Sequence, residues 1–129
     1  MSASPSDARE FKLLTDDLPV MVAHCDRDLR FNYVNHAYSE RFGLRAEEIR
    51  GRHASDIIGE SAVRIITPYV ERVLAGESFE YEVWVPYRRL GRRYMRCVYK
   101  PELDGDGRVI GYVAALFDET ARKLSLIHI

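Results

Sequence analysis

The residues able to do chemistry in this chain are few, and their spacing serves chemistry poorly. Glu80 and Glu82 sit two positions apart, which places both carboxylates on one face of a strand. Two carboxylates flanking a scissile bond can act as acid and base. No nucleophile or oxyanion donor accompanies them in the sequence, so solvated outer-face carboxylates are expected. His24 and Asp26 share a strand face in the same way, but two ligands do not make a metal site. His53 with Asp56 is the one combination that would suit a cleft enzyme, through titratable groups converging in a loop. Cys25 and Cys97 lie far apart with no CxxC spacing, which predicts neither a disulfide framework nor a thiolate metal site. No nucleophile elbow, phosphate-binding glycine loop or HExxH is present. Catalytic residues are therefore expected to be none, and the chain is expected not to be an enzyme.

Two further sets of residues point to binding. Arg88, Arg89, Arg92 and Arg93 put four arginines within six positions, able to grip a phosphate or an acidic surface. Their position in a turn favours a solvated loop instead. Tyr38, Phe42, Ile57, Ile66, Tyr69 and Val70 on helical segments, with Trp84, Tyr94, Arg96 and Tyr99 on strands, have the composition of a small-molecule pocket. Such sites have apolar walls and a few polar tips. Tyrosine hydroxyls, one indole and one guanidinium would fit a carboxylated or aromatic metabolite, because a buried guanidinium requires an anionic partner. The alternative is that the same residues are ordinary core around no ligand.

The chain that must position these groups has 129 residues, enough for one domain. At this length roughly 70% of the extended-chain surface can be buried, and 47% hydrophobic residues supply a core without disulfides or metal. A net charge of -1 argues against direct nucleic-acid binding, which needs a clear cationic excess. The start of the sequence lacks a signal-peptide pattern and no window resembles a membrane span, so a reduced, cytoplasmic setting without membrane contact is expected.

Residues 1–6 are small and polar and read as a disordered lead-in. Residues 7–18 read as an amphipathic helix that Asp7 can cap, and its apolar face needs a partner, either this domain's own sheet or, with Phe11, Leu14 and Leu18 facing outward, the same helix of a second copy. Val20 to Cys25 and Arg30 to Val34 predict a hairpin. Asn35 stands at a helix N-cap and Gly43 at its left-handed stop. A short helix from Ala46 ends at Gly51, a loop passes His53 and Asp56, and a long helix follows that Pro68 kinks or restarts. Period-two alternation from Phe79 to Tyr87, then strands at Arg93–Lys100 and Val109–Phe117, predicts an antiparallel meander. The fold class is α+β, an antiparallel sheet with helices on one face and no βαβ rhythm.

In this order the chain resembles the PAS sensory domain of bacterial signalling proteins, of the PAS-fold type. The marks are Asn35 after the second strand, Gly51, Leu74-Ala75-Gly76-Glu77, the run from Asp104-Gly105-Asp106-Gly107 to Gly111, and Asp118-Glu119-Thr120 at the end of the final strand. The resemblance implies a five-stranded antiparallel sheet of order 2-1-5-4-3 over residues 19–120, with a pocket between sheet and helices. It also implies signal coupling at Asp118 and Thr120, with residues 121–129 beginning an output linker. Short polar side chains at those two positions suit a strand that hands its chain to a helix.

Within that family a cofactor would need its own ligand residue. The reactive-cysteine motif of the flavin photosensors is absent. The long helix contains no histidine for haem, leaving only His53 near the pocket region. No cofactor is expected, only an unidentified small metabolite bound by Tyr38, Phe42, Ile57, Ile66, Tyr69, Trp84, Tyr94 and Arg96. The expected function is a sensory and signal-transduction module. It would act as a homodimer and relay to an output domain: a histidine kinase, a cyclic-di-GMP enzyme or a transcription regulator. The competing expectation is a ligand-free dimerisation module; a small α+β barrel enzyme is a more distant one.

Overall fold

The computed structural model describes residues 5–127. Helix α1 (Pro5–Thr15) begins two residues before the expected Asp7 cap and ends before Asp17. Proline suits a first helical turn, where its missing N–H has no partner to lose. The early end has a tertiary cause: Asn35 Nδ2 donates to the Thr15 carbonyl at 2.9 Å. Within the expected lead-in, residues 5 and 6 are thus helical and residues 1–4 lie outside the described residues.

Strands β1 (Met21–Asp26) and β2 (Phe31–Val34) form the expected hairpin. In its turn Asp26 Oδ1 accepts the Asp28 and Arg30 amides at 2.8 and 3.0 Å, with Leu29 at φ 60°. The later turn Asp104–Arg108 repeats this Asp-x-Asp-x-Arg arrangement. Asp104 Oδ1 accepts the Asp106 and Arg108 amides at 2.8 and 3.0 Å, and Gly107 takes the left-handed place that Leu29 fills in the first turn.

Asn35 caps helix α2 (His36–Phe42) by accepting the Tyr38 amide at 3.1 Å, and Gly43 ends it at φ 69°. Helix α3 (Ala46–Ile49) follows. The segment through Asp56, expected as a loop, is helix α4 (Ala54–Ile58). It is too short to show a 3.6-residue period, and burial of Ile57 and Ile58 stabilises what propensity alone would not. Helix α5 (Glu60–Leu74) continues through Pro68 rather than restarting there. Pro68 is exposed on the outer side of the helix, and lacking an N–H it cannot donate to the Arg64 carbonyl one turn earlier.

Strands β3 (Phe79–Tyr87), β4 (Gly91–Leu103) and β5 (Val109–Asp118) form the antiparallel meander, and helix α6 (Thr120–Ile127) follows. β4 is longer than expected because both of its ends are paired, Gly91 with Tyr87 and Leu103 with Val109. The five strands are ordered β2-β1-β5-β4-β3. Helices α2 to α5 cover one face. There Ile49, Val73, Val85 and Met95 are completely buried, each stabilising the fold by about 1.5–3 kcal/mol relative to exposure. α1 and α6 reach the opposite face: Phe11 meets Tyr33 edge-on at 5.7 Å and Lys123 lies over the Tyr94 ring at 4.8 Å.

Candidate functional site

Register decides what lies between sheet and helices. Cys97 is level with Tyr81 on β3 and Leu116 on β5, and Cys25 is level with Tyr112, so these side chains share the helix-covered face. Among them is a small cavity of about 40 Å³, room for about two or three waters. Its wall takes Ala23 and Cys25 from β1, Phe31 from β2, Tyr38 from α2, and Ala54 and Ile58 from α4. Ile66 of α5, Tyr87 of β3, Cys97 and Tyr99 of β4, and Tyr112, Ala114 and Leu116 of β5 complete it. None of these side chains carries a formal charge. Burial pushes the Tyr38, Tyr87, Tyr99 and Tyr112 hydroxyls far above their ordinary range. It also raises the thiols of Cys25 to about 12 and Cys97 to about 11. At neutral pH the wall is therefore a set of neutral hydroxyls and thiols on an aromatic frame.

The frame consists of two aromatic groups. Tyr38 stacks on Phe42 at 4.7 Å, and Phe42 meets the edge of Tyr87 at 5.6 Å. Tyr99 packs against Tyr112 at 5.0 Å and receives a 2.7 Å hydrogen bond from the Tyr81 hydroxyl. Such pairs contribute about 0.5–1.5 kcal/mol each beyond area burial.

Of the residues expected at a pocket, the structure brings Tyr38, Ile66 and Tyr99 to the cavity wall. Phe42 and Ile57 are buried beside it, and Tyr69 is half-buried with its ring stacked on Tyr81 at 3.6 Å. Trp84, Tyr94 and Arg96 must be corrected: they lie on the opposite sheet face. Trp84 pairs with Tyr94 and Glu82 with Arg96, one residue out of phase with the cavity set. Arg96 instead covers the Phe117 ring at 4.0 Å and pairs with Glu80 and Glu119 at 3.2 and 3.4 Å. The cation that would favour a carboxylated metabolite is thus absent from the wall. Sequence reasoning missed Cys25, Cys97, Tyr87 and Tyr112, although period-two alternation groups each with its own strand's apolar residues.

The second feature is the end of β5. Asp118 Oδ1 accepts the Thr120 amide and hydroxyl at 3.0 and 2.6 Å. Its Oδ2 accepts from Arg41 of α2 at 2.5 Å and Arg93 of β4 at 2.8 Å. The Thr120 hydroxyl also accepts the Tyr94 amide at 2.8 Å. Burial raises the Asp118 carboxyl, but the Thr120 bonds and the Arg93 and Arg41 guanidinia outweigh it and hold the group at about 2. Two cavity residues adjoin this pair in sequence: Leu116 precedes Asp118 by two on the same strand face, and Tyr38 precedes Arg41 by three on the same helix.

The other candidates are placed as follows. His53 caps α4, its Nδ1 accepting the Ser55 amide at 3.1 Å, and Asp56 is exposed. His24 Nε2 lies against the Glu102 carboxylate on β4. Among the described residues no three of His, Cys, Asp and Glu gather as a metal-binding group. Leu14 is 74% exposed, and so is its neighbour Leu13 at 72%, which the sequence reading passed over. Phe11 is corrected: it is half-buried on Tyr33 rather than outward-facing, because α1 lies against β2 on that side. Leu18 borders an open groove of about 830 Å³ between Asp16–Met21, α2 and the end of β5.

No curated protein matches the chain in sequence. A family model described as PAS fold matches residues 15–124. Among solved structures, the PAS domain of Bordetella pertussis BvgS superposes with a TM-score of 0.72 at 23% identity, covering 95% of each chain. VqmA bound to DPO gives 0.65 at 25% identity, over 85% of this chain and 57% of that one. An RNA-binding light-oxygen-voltage receptor gives 0.73 at 21% identity, over 90% of this chain and 34% of that one. The chain therefore spans about a third of the receptor and just over half of VqmA.

Proposed function

Because this chain belongs to the PAS-fold family, we propose that it is a sensory module that takes a small uncharged molecule into the tyrosine-lined cavity. Occupancy would be relayed through Asp118 and Thr120 to an output domain: a histidine kinase, a cyclic-di-GMP enzyme or a transcription regulator. The observation that carries the reading is the adjacency of cavity and junction. Both partners of the Arg41–Asp118 ion pair are anchored within one helical turn or one strand repeat of a cavity residue, Tyr38 and Leu116.

A guest larger than about 40 Å³ must move the wall. Displacing Tyr38 or Leu116 shifts Arg41 or Asp118, and an ion pair held at 2.5 Å weakens once its geometry is lost. Occupied and empty states then differ in how firmly the start of α6 is held, which is the differential affinity that signalling requires. An anionic guest is disfavoured, since the wall offers no cation to offset its desolvation.

The test is a thermal-shift screen of paired compounds, small neutral alcohols, phenols and heteroaromatics against their carboxylate analogues. Neutral members should raise Tm, and Ala114→Leu, which fills the cavity, should abolish the effect. Stabilisation by the carboxylates alone, or by none of the compounds together with no retained mass in a native mass spectrum, would refute the reading.

A second reading, a homodimerisation module, is favoured by the exposed Leu13 and Leu14. Leu14→Glu should convert a dimer to a monomer in light scattering; a dimer that survives it places the interface elsewhere. Neither reading involves direct nucleic-acid contact, and both assume a cytoplasmic protein. No described helix is long and apolar enough to cross a membrane.

A further inference from the structure

The β3–β4 hairpin tip carries guanidinium groups with nothing to neutralise them. Among the described residues Arg88 and Arg89 have no carboxylate partner, and Arg92 is engaged only by the Trp84 ring, its guanidinium carbon 4.7 Å from the centroid. Arg93, one position on, is held by Asp118 at 2.8 Å. Three exposed cations within five positions of one turn repel one another, and local sequence supplies no counter-charge.

The tip is nevertheless fixed in place. The Arg88 amide donates to the Ile58 carbonyl at 3.0 Å. Gly59, at φ 92°, lies so close beneath that a methyl group there would come within 2.9 Å of Arg88 Cβ. Arg92 lies over the Trp84 ring. The cations are thus presented from an anchored hairpin, which lowers the entropy lost when a partner binds. Arginine, tryptophan and tyrosine side by side are the residue types that dominate binding energy at protein interfaces, and Tyr94 stands 5.2 Å from Trp84 to complete the group.

We propose that this hairpin tip is a docking surface for an acidic segment of a protein partner, separate from the cavity, with Trp84 and Arg92 on the outer face and Arg88, whose side chain lies against Gly59, at its helix-side edge. Charge complementarity selects the occupant. The chain as a whole has a net charge of -1. On the same face Glu80 and Glu82 are already paired, with Arg96 at 3.2 Å and Arg122 at 3.0 Å, so the unpaired cations are confined to the hairpin tip. A patch confined to one turn matches a short acidic peptide, whereas a nucleic-acid backbone calls for an extended cationic track.

Trp84 is the chain's sole tryptophan and reports on the site directly. The whole chain would be titrated with a short Glu-rich peptide and, separately, with an oligodeoxythymidylate of equal charge, following Trp84 emission at low and at physiological salt. The peptide should change the emission saturably and bind more tightly than the oligonucleotide. Arg89→Glu should raise Kd about tenfold, and Arg88→Glu with Arg89→Glu should raise it further. Arg108→Glu, the same charge change in an exposed turn elsewhere, should have little effect. Three results would overturn the proposal: peptide binding that leaves Trp84 unchanged, equal weakening by Arg108→Glu, or tighter binding of the oligonucleotide. A melting curve on each variant separates lost binding from lost folding, and absence of any peptide response in the folded wild-type chain also refutes it.

Discussion

The Asp118 carboxylate and the Thr120 hydroxyl share a 2.6 Å hydrogen bond, and that hydroxyl in turn accepts the Tyr94 amide at 2.8 Å. The end of the last strand is thereby tied both to the helix that follows and to the neighbouring strand. Arg41 and Arg93, from two further positions in the fold, close on the other carboxylate oxygen.

This junction gives the protein an acid-sensitive element. The folded Asp118 carboxyl titrates at about 2 against an ordinary 3.8. A depressed folded pKa contributes stability that is complete above the unfolded value and lost as pH falls through the folded one. Between pH 4 and 2 the domain should lose about 1–2 kcal/mol from this group, since solvent screens the pairs with the partly exposed Arg41 and Arg93. Urea unfolding across that range should show the slope in the wild type. Asp118→Asn should flatten this part of the slope while lowering stability at neutral pH by a similar amount.

Asn35 is fully buried and makes four hydrogen bonds. Its carbonyl accepts the Val22 and Tyr38 amides while its amide donates to the Thr15 and Val20 carbonyls. Asn35→Ala orphans all four and should cost roughly 3 kcal/mol or more in denaturant unfolding, at one to a few kcal/mol per stranded group with partial rescue by water. Asn35→Asp keeps the acceptors and sets a carboxylate against two carbonyls, so it should recover only part of the loss.

Two glycines separate backbone strain from contact. Gly107, at φ 81°, has open space where a Cβ would stand, so Gly107→Ala should cost only the backbone penalty of about 1 kcal/mol. Gly59, at φ 92°, would in addition press on Arg88 Cβ. Gly59→Ala should therefore cost more than Gly107→Ala in the same melt and should alter Trp84 emission, because the hairpin tip must lift.

The two thiols should be silent in the folded state. Burial raises Cys25 to about 12 and Cys97 to about 11, so almost no thiolate exists at pH 8 and no reagent reaches either group. Labelling by a disulfide reagent should proceed at the rate of unfolding, and a ligand that occupies the cavity should slow it. Fast labelling of the folded protein would show that the cavity opens locally.

Much of the architecture was legible in the sequence because it rests on local rules. Alternation from Phe79 to Tyr87 marks a strand whatever packs against it, Asn35 and Gly43 bracket a helix through their own backbone preferences, and Asp-x-Asp-x-Arg closes both turns with bonds made inside five residues. The strand order came from resemblance to a family rather than from any spacing. Tertiary structure alone decided the site. Period-two alternation sorts β3 into Tyr81, Val83, Val85 and Tyr87 against Glu82 and Trp84, but it does not say which set the helices will cover. An aromatic on the mixed face looks the same in sequence as one on the buried face, which is why Trp84, Tyr94 and Arg96 were placed at the pocket. Helix α4 escaped notice because five residues carry no readable period, and Phe11 because the choice between a second copy and Tyr33 is made by the angle at which α1 meets the sheet. The Arg41–Asp118 contact joins residues 77 positions apart. No local rule encodes it, since it exists only once the packing of α2 on the sheet brings two opposite charges to one place.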